Sequence, residues 1–170
     1  MKHIITIMIE NKAGALSRVA GLFSGRGYNI ESLTVNETDK PGLSNMTIVT
    51  SGDDRVIEQI IKQLRKLINV IRVRDVTSLP DHIERVMALV KLHILPKHRS
   101  EIFGIVDAYR GRVIDMNKDS MIVEISGSIQ KTESFVELVH SYGIIEVLKT
   151  GVLAMSKGNL VTTESNNNKN

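Results

Sequence analysis

The amino-acid sequence predicts an α+β protein with two consecutive βαββαβ units, each an antiparallel sheet with its helices on one face. Short runs of β-branched aliphatic residues alternate with stretches whose apolar residues recur every three or four positions. The same order of elements occurs in both halves of the chain, and Leu79-Pro80-Asp81 interrupts the pattern between them. Two helices on one face of a four-stranded sheet satisfy this order, which is the ferredoxin-like arrangement.

The first unit has four predicted strands, at residues 3–9, 30–38, 45–50 and 70–76. Its first helix begins after the turn-forming residues 10–14, and its inner face is assigned to Leu16, Val19, Ala20 and Phe23. Turn and capping residues at 51–54 open the second helix, whose apolar stripe is Val56, Ile57, Ile60, Ile61, Leu64, Leu67 and Ile68.

The second unit repeats this order, with strands predicted at residues 85–94, 113–116, 121–125 and 144–155. Residues 96–99 turn into a helix with Ile102, Ile105, Val106 and Tyr109 on one side. A second helix is predicted after residues 126–128, and its inner face is assigned to Phe135, Leu138, Val139 and Tyr142. Two short echoes link the halves: Arg26-Gly27 with Arg110-Gly111, and the segment 46–52 with the segment 121–127.

These elements divide the chain into a first domain at residues 1–78, a linker at 79–82 and a second domain at 83–158. Residues 159–170 show no apolar periodicity and end in a run of asparagines, so we expect a disordered tail.

The composition excludes several classes of function. Cysteine is absent, so disulfides and thiolate sites are excluded, and aromatic residues make up only 4% of the chain, which argues against stacking on nucleic-acid bases. The net charge of +3 comes from dispersed cations, and no apolar stretch is long enough to span a bilayer. We therefore expect a soluble, cytoplasmic protein without nucleic-acid or membrane partners.

The residue patterns of catalytic and metal sites are missing from the sequence. It contains no G-x-S-x-G elbow and no glycine-rich loop followed by Lys-Ser or Lys-Thr. The five histidines are scattered over different predicted elements, without further ligands at metal-binding spacing. We predict neither a catalytic residue nor a metal site.

The predicted loop from Asn11 to Gly14 lies at the start of the first helix, where free backbone N–H groups favour an anion. Gly14 would let a ligand approach the backbone, and the amide of Asn11 suits a zwitterionic amino acid. An alternative interpretation has equal weight: Asn11 merely caps the helix and Gly14 merely permits the turn.

Asn29 lies at the entry to the second strand, where an asparagine on its own is most simply a turn residue. The second strand of this fold can lie at a sheet edge, and edge strands pair readily with a symmetry mate. The sequence thus leaves open an alternative in which Asn29 lies at an interface.

The stretches ENKAGALSRVAGLFSGRGYNIESLTV and LSNMTIVTSGD resemble the N-terminal ACT domain of acetolactate synthase small subunits. The second half is similar to the same family at residues 110–115 and 151–158, so the resemblance covers roughly residues 1–159. It implies a homodimer through the ACT domains, with valine bound between protomers. The implied effector site combines Asn11, Ala13, Gly14, Ala15 and Leu16 of one protomer with Asn29 and Ile30 of the other, and Leu16 and Ile30 would form its apolar wall.

The resemblance also implies a non-catalytic regulatory subunit that activates a large catalytic subunit and confers feedback inhibition by valine in branched-chain amino-acid biosynthesis. Thiamine diphosphate, magnesium and FAD would then belong to the large subunit, and the second domain of this chain would help to engage it. Two alternatives stay open: a free-standing ACT-domain sensor that controls another protein, and a small enzyme on a ferredoxin-like scaffold.

Overall fold

The computed structural model describes residues 1–79, 81–158 and 162. Two compact units make up the chain. One comprises Met1–Ile83 together with the described residues that follow Gly151, and the other comprises residues 84–151. The linker at 79–82 and the domain limits at 78 and 83 remain predictions, and the predicted tail lies outside the described residues except for Thr162.

The first unit has the predicted βαββαβ order. Its elements are β1 (Lys2–Glu10), α1 (Ala15–Ser24), β2 (Ser32–Glu37), β3 (Leu43–Ser51), α2 (Asp54–Leu64) and β4 (Val70–Asp75). The four strands form an antiparallel sheet in the order β2-β3-β1-β4, so β1 and β3 are central and β2 lies at an edge. The carboxylate of Asp53 caps α2 by accepting a hydrogen bond from the amide of Val56.

Alternate residues of β1 build the core of this unit, because successive side chains of a strand point to opposite faces. Ile5, Ile7 and Ile9 are buried with residues of both helices. Two predicted inner positions are wrong: Leu16 is 45% exposed, since α1 buries Ala15 and Leu22 instead. Ile68 is 84% exposed, since α2 ends at Leu64 and the helical stripe cannot continue.

A longer series of elements follows β4, and its last strand falls among the residues that belong to the first compact unit. They are β5 (His82–His93), a 3₁₀ turn (Pro96–His98), α3 (Arg99–Ala108), β6 (Arg112–Met116), β7 (Ser120–Gly127), α4 (Ile129–Val139), a second 3₁₀ turn (His140–Tyr142), β8 (Ile144–Lys149) and β9 (Leu153–Ser156). The sheet order is β6-β7-β5-β8, with β9 pairing β5 outside that path. The predicted α+β class with two antiparallel sheets is confirmed.

Two predictions for the second half of the chain are wrong. The single strand expected at residues 144–155 is two strands, because Thr150 ends the ladder: its hydroxyl, not a carbonyl, accepts the hydrogen bond from the amide of Met87. Leu138 is exposed, and α4 buries Thr132 instead. The hydroxyl of Thr132 donates to the carbonyl of Ser128 at 3.0 Å, so a polar atom is buried without loss of a partner.

The end of the first helix in each unit has the same hydrogen bond but a different residue in the left-handed conformation. The amide of Tyr28 donates to the carbonyl of Phe23, and Gly27 has φ 70°. The amide of Gly111 donates to the carbonyl of Val106, and Arg110 has φ 52°. Gly27 therefore corresponds to Arg110, and the echo of Arg26-Gly27 in Arg110-Gly111 is one residue out of structural register.

Arg110→Gly is expected to stabilise the protein, because a left-handed conformation is unfavourable for a side chain with Cβ and glycine adopts it freely. We expect a gain of about 0.5–1 kcal/mol, after the greater entropy of glycine in the unfolded chain is subtracted. Urea denaturation measures the change, with Arg112→Gly in the neighbouring strand β6 as a control that should destabilise. A loss of stability in Arg110→Gly would show that the arginine side chain makes a compensating contact.

Candidate functional site

The loop between β1 and α1, residues 11–14, contains three of the seven predicted effector residues, and Ala15 and Leu16 follow at the start of α1. Gly14 is the N-cap of α1 with φ 82°, and no side chain caps the helix. Asn11 instead donates from its side chain to the carboxylate of Glu37 at the end of β2, and its backbone amide donates to the carbonyl of Gly42. The interpretation of Asn11 as a helix cap is thus wrong, whereas Gly14 does permit the turn.

The start of α1 offers unpaired donors to a ligand. The amide of Ala15 donates to the carbonyl of Lys12 at 3.1 Å, and the amide of Arg18 donates to Gly14 at 3.1 Å. Between them, the amides of Leu16 and Ser17 find no acceptor among the described residues. The first turn contains no acidic side chain, and a Cβ on Gly14 would meet nothing within 4 Å. This geometry suits a carboxylate, because helix N-termini attract anions.

Ala13, Ala15 and Leu16 occupy different environments at this site. Ala13 is exposed in the loop, and Ala15 is buried in the core with its amide already engaged, so it leaves no donor for a ligand. Leu16 presents an apolar side chain to the outside, next to the unpaired amides. The sequence analysis did not predict a role for the backbone amide of Ser17. Once Gly14 is taken as the N-cap of α1, this amide falls among the first amides of the helix, which have no acceptor within the helix.

One chain does not bring Asn29 and Ile30 to the β1–α1 loop. β1 and β2 both pair antiparallel with β3 and so run parallel to each other. The loop therefore lies beside the end of β2, where Glu37 pairs with Ser44, whereas Asn29 and Ile30 precede its start, where Ser32 pairs with Val49. These ends are separated by about 17 Å at the usual rise of a strand.

Asn29 is exposed, and its carbonyl accepts a hydrogen bond of 2.6 Å from the hydroxyl of Thr50. Ile30 is half-buried and packs against the core of the first unit. The side chain of Asn29 remains available to a partner, while Ile30 presents only part of its surface.

A polar group behind the loop was not predicted. Lys12 pairs with Glu10 at 3.0 Å, and the buried Asn69 donates from its side-chain amide to the same carboxylate at 2.9 Å. The carbonyl oxygen of the Asn69 side chain accepts from Arg18 at 2.6 Å. Hydrogen bonds from Lys12 and then Asn69, together with the charge of Lys12, lower the pKa of Glu10 from its ordinary value.

The described residues contain no cluster of three or more His, Asp or Glu that could hold a metal ion. In that part of the chain, no helix is long and apolar enough to cross a membrane.

Comparisons with known proteins agree along nearly the whole chain. Residues 5–72 match the model of the AHAS small subunit-like ACT domain, and residues 85–158 match that of the small subunit of acetolactate synthase. A probable acetolactate synthase small subunit of Archaeoglobus fulgidus is 48% identical over 94% of this chain and 99% of the relative. The chain belongs to the acetolactate synthase small-subunit family.

Two further family members support the assignment. The acetolactate synthase isozyme 3 small subunit of Escherichia coli is 43% identical, with 95% of this chain and 99% of the relative covered. The crystal structure of the acetolactate synthase small subunit from Thermotoga maritima superposes with a TM-score of 0.86 at 40% identity, covering 94% of this chain and 99% of that one. The family resemblance inferred from the sequence is confirmed.

The lowered pKa of Glu10 predicts a pH-dependent contribution to folding. A carboxyl whose folded pKa is depressed stabilises the fold above the ordinary glutamate pKa of about 4.3, and the contribution disappears as the pH falls through the lower folded value. Lys12→Met should raise the pKa of Glu10 towards its ordinary value, because it removes the leading hydrogen bond and the positive charge. A carbon-13 NMR titration of the Glu10 carboxyl measures the shift.

Lys62→Met is the matched control, since Lys62 pairs with Glu58 on the exposed side of α2 at a distance from the loop. It should leave the titration of Glu10 unchanged. An unchanged Glu10 titration in Lys12→Met would show that the ion pair seen in the structure does not persist in solution.

Proposed function

We propose that this chain is a non-catalytic regulatory subunit that stimulates the large subunit of acetolactate synthase and makes it sensitive to inhibition by valine. The supporting observation is the start of α1, where the free amides of Leu16 and Ser17 lie beside Gly14 in a member of this family. Thiamine diphosphate, magnesium and FAD are assigned to the large subunit, which performs the condensation of two 2-oxo acids.

The loop can complement each part of a free branched-chain amino acid. The two unpaired amides of α1 are suited to the carboxylate, and the carboxylate of Glu37, held beside Asn11, is suited to the ammonium group. The exposed side chain of Leu16 offers an apolar surface to the branched side chain. This arrangement favours a small zwitterion with an aliphatic side chain over a phosphorylated or strongly polar ligand.

The remaining part of the site comes from a second copy of the chain. Antiparallel pairing of β2 with β2 of a partner, across a two-fold axis, would bring the start of one strand beside the end of the other. Asn29 and Ile30 of one protomer would then lie near Glu37 and Asn11 of its partner. On the helix side of the sheet edge, Leu33 and Val35 are 37% and 36% exposed, which provides apolar surface for such a contact.

Regulation follows if valine stabilises one arrangement of the two protomers. Because valine would contact both chains, its affinity depends on how they are placed, and a difference of about 1–3 kcal/mol between two arrangements would give an effect of roughly 5–150-fold. The stimulating arrangement would bind valine less tightly than the inhibited one.

Valine binding and enzyme regulation can be tested with two variants of the same size. Gly14→Asp should weaken valine binding by about 5-fold or more, because a carboxylate near the site opposes the valine carboxylate by roughly 1–4 kcal/mol. The asparagine of Gly14→Asn has almost the same shape as aspartate and tolerates the left-handed conformation, but it lacks the negative charge. Gly14→Asn should therefore weaken valine binding less than Gly14→Asp does. Calorimetric titration of valine measures affinity, and acetolactate formation with the large subunit measures stimulation and inhibition.

Each alternative function has its own result in these assays. Saturable valine binding without association with the large subunit would favour the free-standing sensor. Turnover of 2-oxo acids by the isolated chain would favour the small enzyme. Stimulation of the large subunit without any binding of valine would leave the regulatory subunit but remove valine as its effector.

The proposed dimer contact can be tested at the sheet edge. Val35→Lys should weaken dimerisation by about 10-fold or more, since burial of an apolar side chain is worth roughly 1.5–3 kcal/mol and an edge lysine opposes strand pairing. Ile71→Lys is the control, because Ile71 is also exposed, at 50%, on β4 at the other edge of the sheet. Sedimentation over a concentration series should show dissociation for Val35→Lys alone. A dimer intact in Val35→Lys would rule out pairing through β2.

A further inference from the structure

Asn69 lies in the turn between α2 and β4, and its polar side chain is buried, with only 8% of the residue exposed. Its backbone carbonyl accepts a hydrogen bond of 2.8 Å from the amide of Glu10. The side chain then uses both of its polar atoms: Nδ2 donates to the carboxylate of Glu10 at 2.9 Å, and Oδ1 accepts from the guanidinium of Arg18 at 2.6 Å. Asn69 therefore makes three hydrogen bonds to two residues that are far away in sequence.

Glu10 and Arg18 are on either side of the β1–α1 loop. Glu10 is the last residue of β1, and the amide of Arg18 makes the first α-helical hydrogen bond, to Gly14. The segment between them contains Asn11, Gly14 and the unpaired amides of Leu16 and Ser17. Because the same side chain holds both flanks, the separation between the strand end and the helix start depends on Asn69.

We propose that Asn69 is a positioning residue for effector binding, which acts through Glu10 and Arg18 to hold the helix-start amides and Asn11 in the geometry that recognises the amino acid. This inference rests on the proposed function, and it extends the site to a residue that would not contact valine. The amide side chain donates to the carboxylate through its nitrogen and accepts from the guanidinium through its oxygen, whereas a carboxylate of the same size could only accept, so the chemical type matters as well as the size.

The hydrogen-bond pattern allows a test by exchange of partners. Asn69→Asp keeps the acceptor for Arg18 but places a second carboxylate against Glu10, which should push the end of β1 away from the turn. Adding Glu10→Gln restores a donor on the other side, since the glutamine amide can donate to Asp at position 69. The double variant should therefore recover the loop geometry.

The experiment uses the whole chain and two measurements: the affinity for valine by calorimetry, and the hydrogen-exchange rates of the amides of residues 11–17. Asn69→Asp should weaken valine binding on the order of 10-fold, within the range usual for coupled sites, and should speed exchange in the loop. The double variant should recover both properties to within a few-fold.

Two controls separate positioning from general stability. Asn117→Asp makes the same substitution beside another carboxylate, since Asn117 donates to Asp115 in the second unit, and it should change neither property. Ile60→Val removes a methyl group from the core of the first unit, so it should lower the midpoint of unfolding without changing valine affinity.

The inference is overturned if Asn69→Asp binds valine as tightly as the unaltered chain, or if Ile60→Val weakens binding to the same extent and the double variant recovers nothing. If the unaltered chain binds no valine, the proposed function fails. The exchange rates of the loop amides then decide on Asn69 alone: acceleration that the double variant reverses supports the positioning role, and unchanged rates reject it.

Discussion

The strand order of the first sheet is the constraint on which the candidate site depends. With β1 and β3 in the centre, β1 runs parallel to the edge strand β2, so the loop after β1 and the segment before β2 lie at opposite ends of the sheet. A ligand that contacts both must therefore bridge two chains. In the proposed dimer, the antiparallel pairing that a two-fold axis would impose on β2 is also the pairing that would bring these ends together. Ligand binding and the arrangement of the protomers in that proposed dimer would thus be linked by topology before any side chain is considered.

The β1–α1 loop must be held in place if its backbone amides are to recognise a ligand, because free loops cost conformational entropy when they are ordered. Three other segments of the chain supply this restraint. Glu37 at the end of β2 holds Asn11, Gly42 accepts from the backbone of the same residue, and Asn69 holds both flanks. The amides of Leu16 and Ser17 can remain unpaired in the free protein because the surrounding hydrogen bonds, and not a ligand, fix the turn.

The order of elements could be predicted from the sequence because strand alternation and helical periodicity are local. It was harder to predict which face of each helix is buried against the sheet. The sets Leu16-Val19-Ala20-Phe23 and Ala15-Val19-Leu22-Phe23 both satisfy helical spacing and share two members, and packing on the sheet selects the second. The loop was recognised from its glycine and asparagine, whereas Asn69 had no sequence signal, since its role comes from contacts with residues more than fifty positions away.

The second unit shows that the same order of elements can have a different helix start. Its first helix, α3, occupies the place that α1 has in the first unit, but it follows a 3₁₀ turn that begins with Pro96, and its first turn contains Glu101. Proline lacks an amide hydrogen, and an acidic residue at a helix start already satisfies the positive end of the helix dipole. Glu101 also pairs with His98 and raises the pKa of Tyr142 through a hydrogen bond, so the groups at this helix start are engaged with each other. A free carboxylate would be disfavoured here. The difference between the two helix starts, and not the shared fold, therefore makes the start of α1 better suited to a carboxylate than the start of α3.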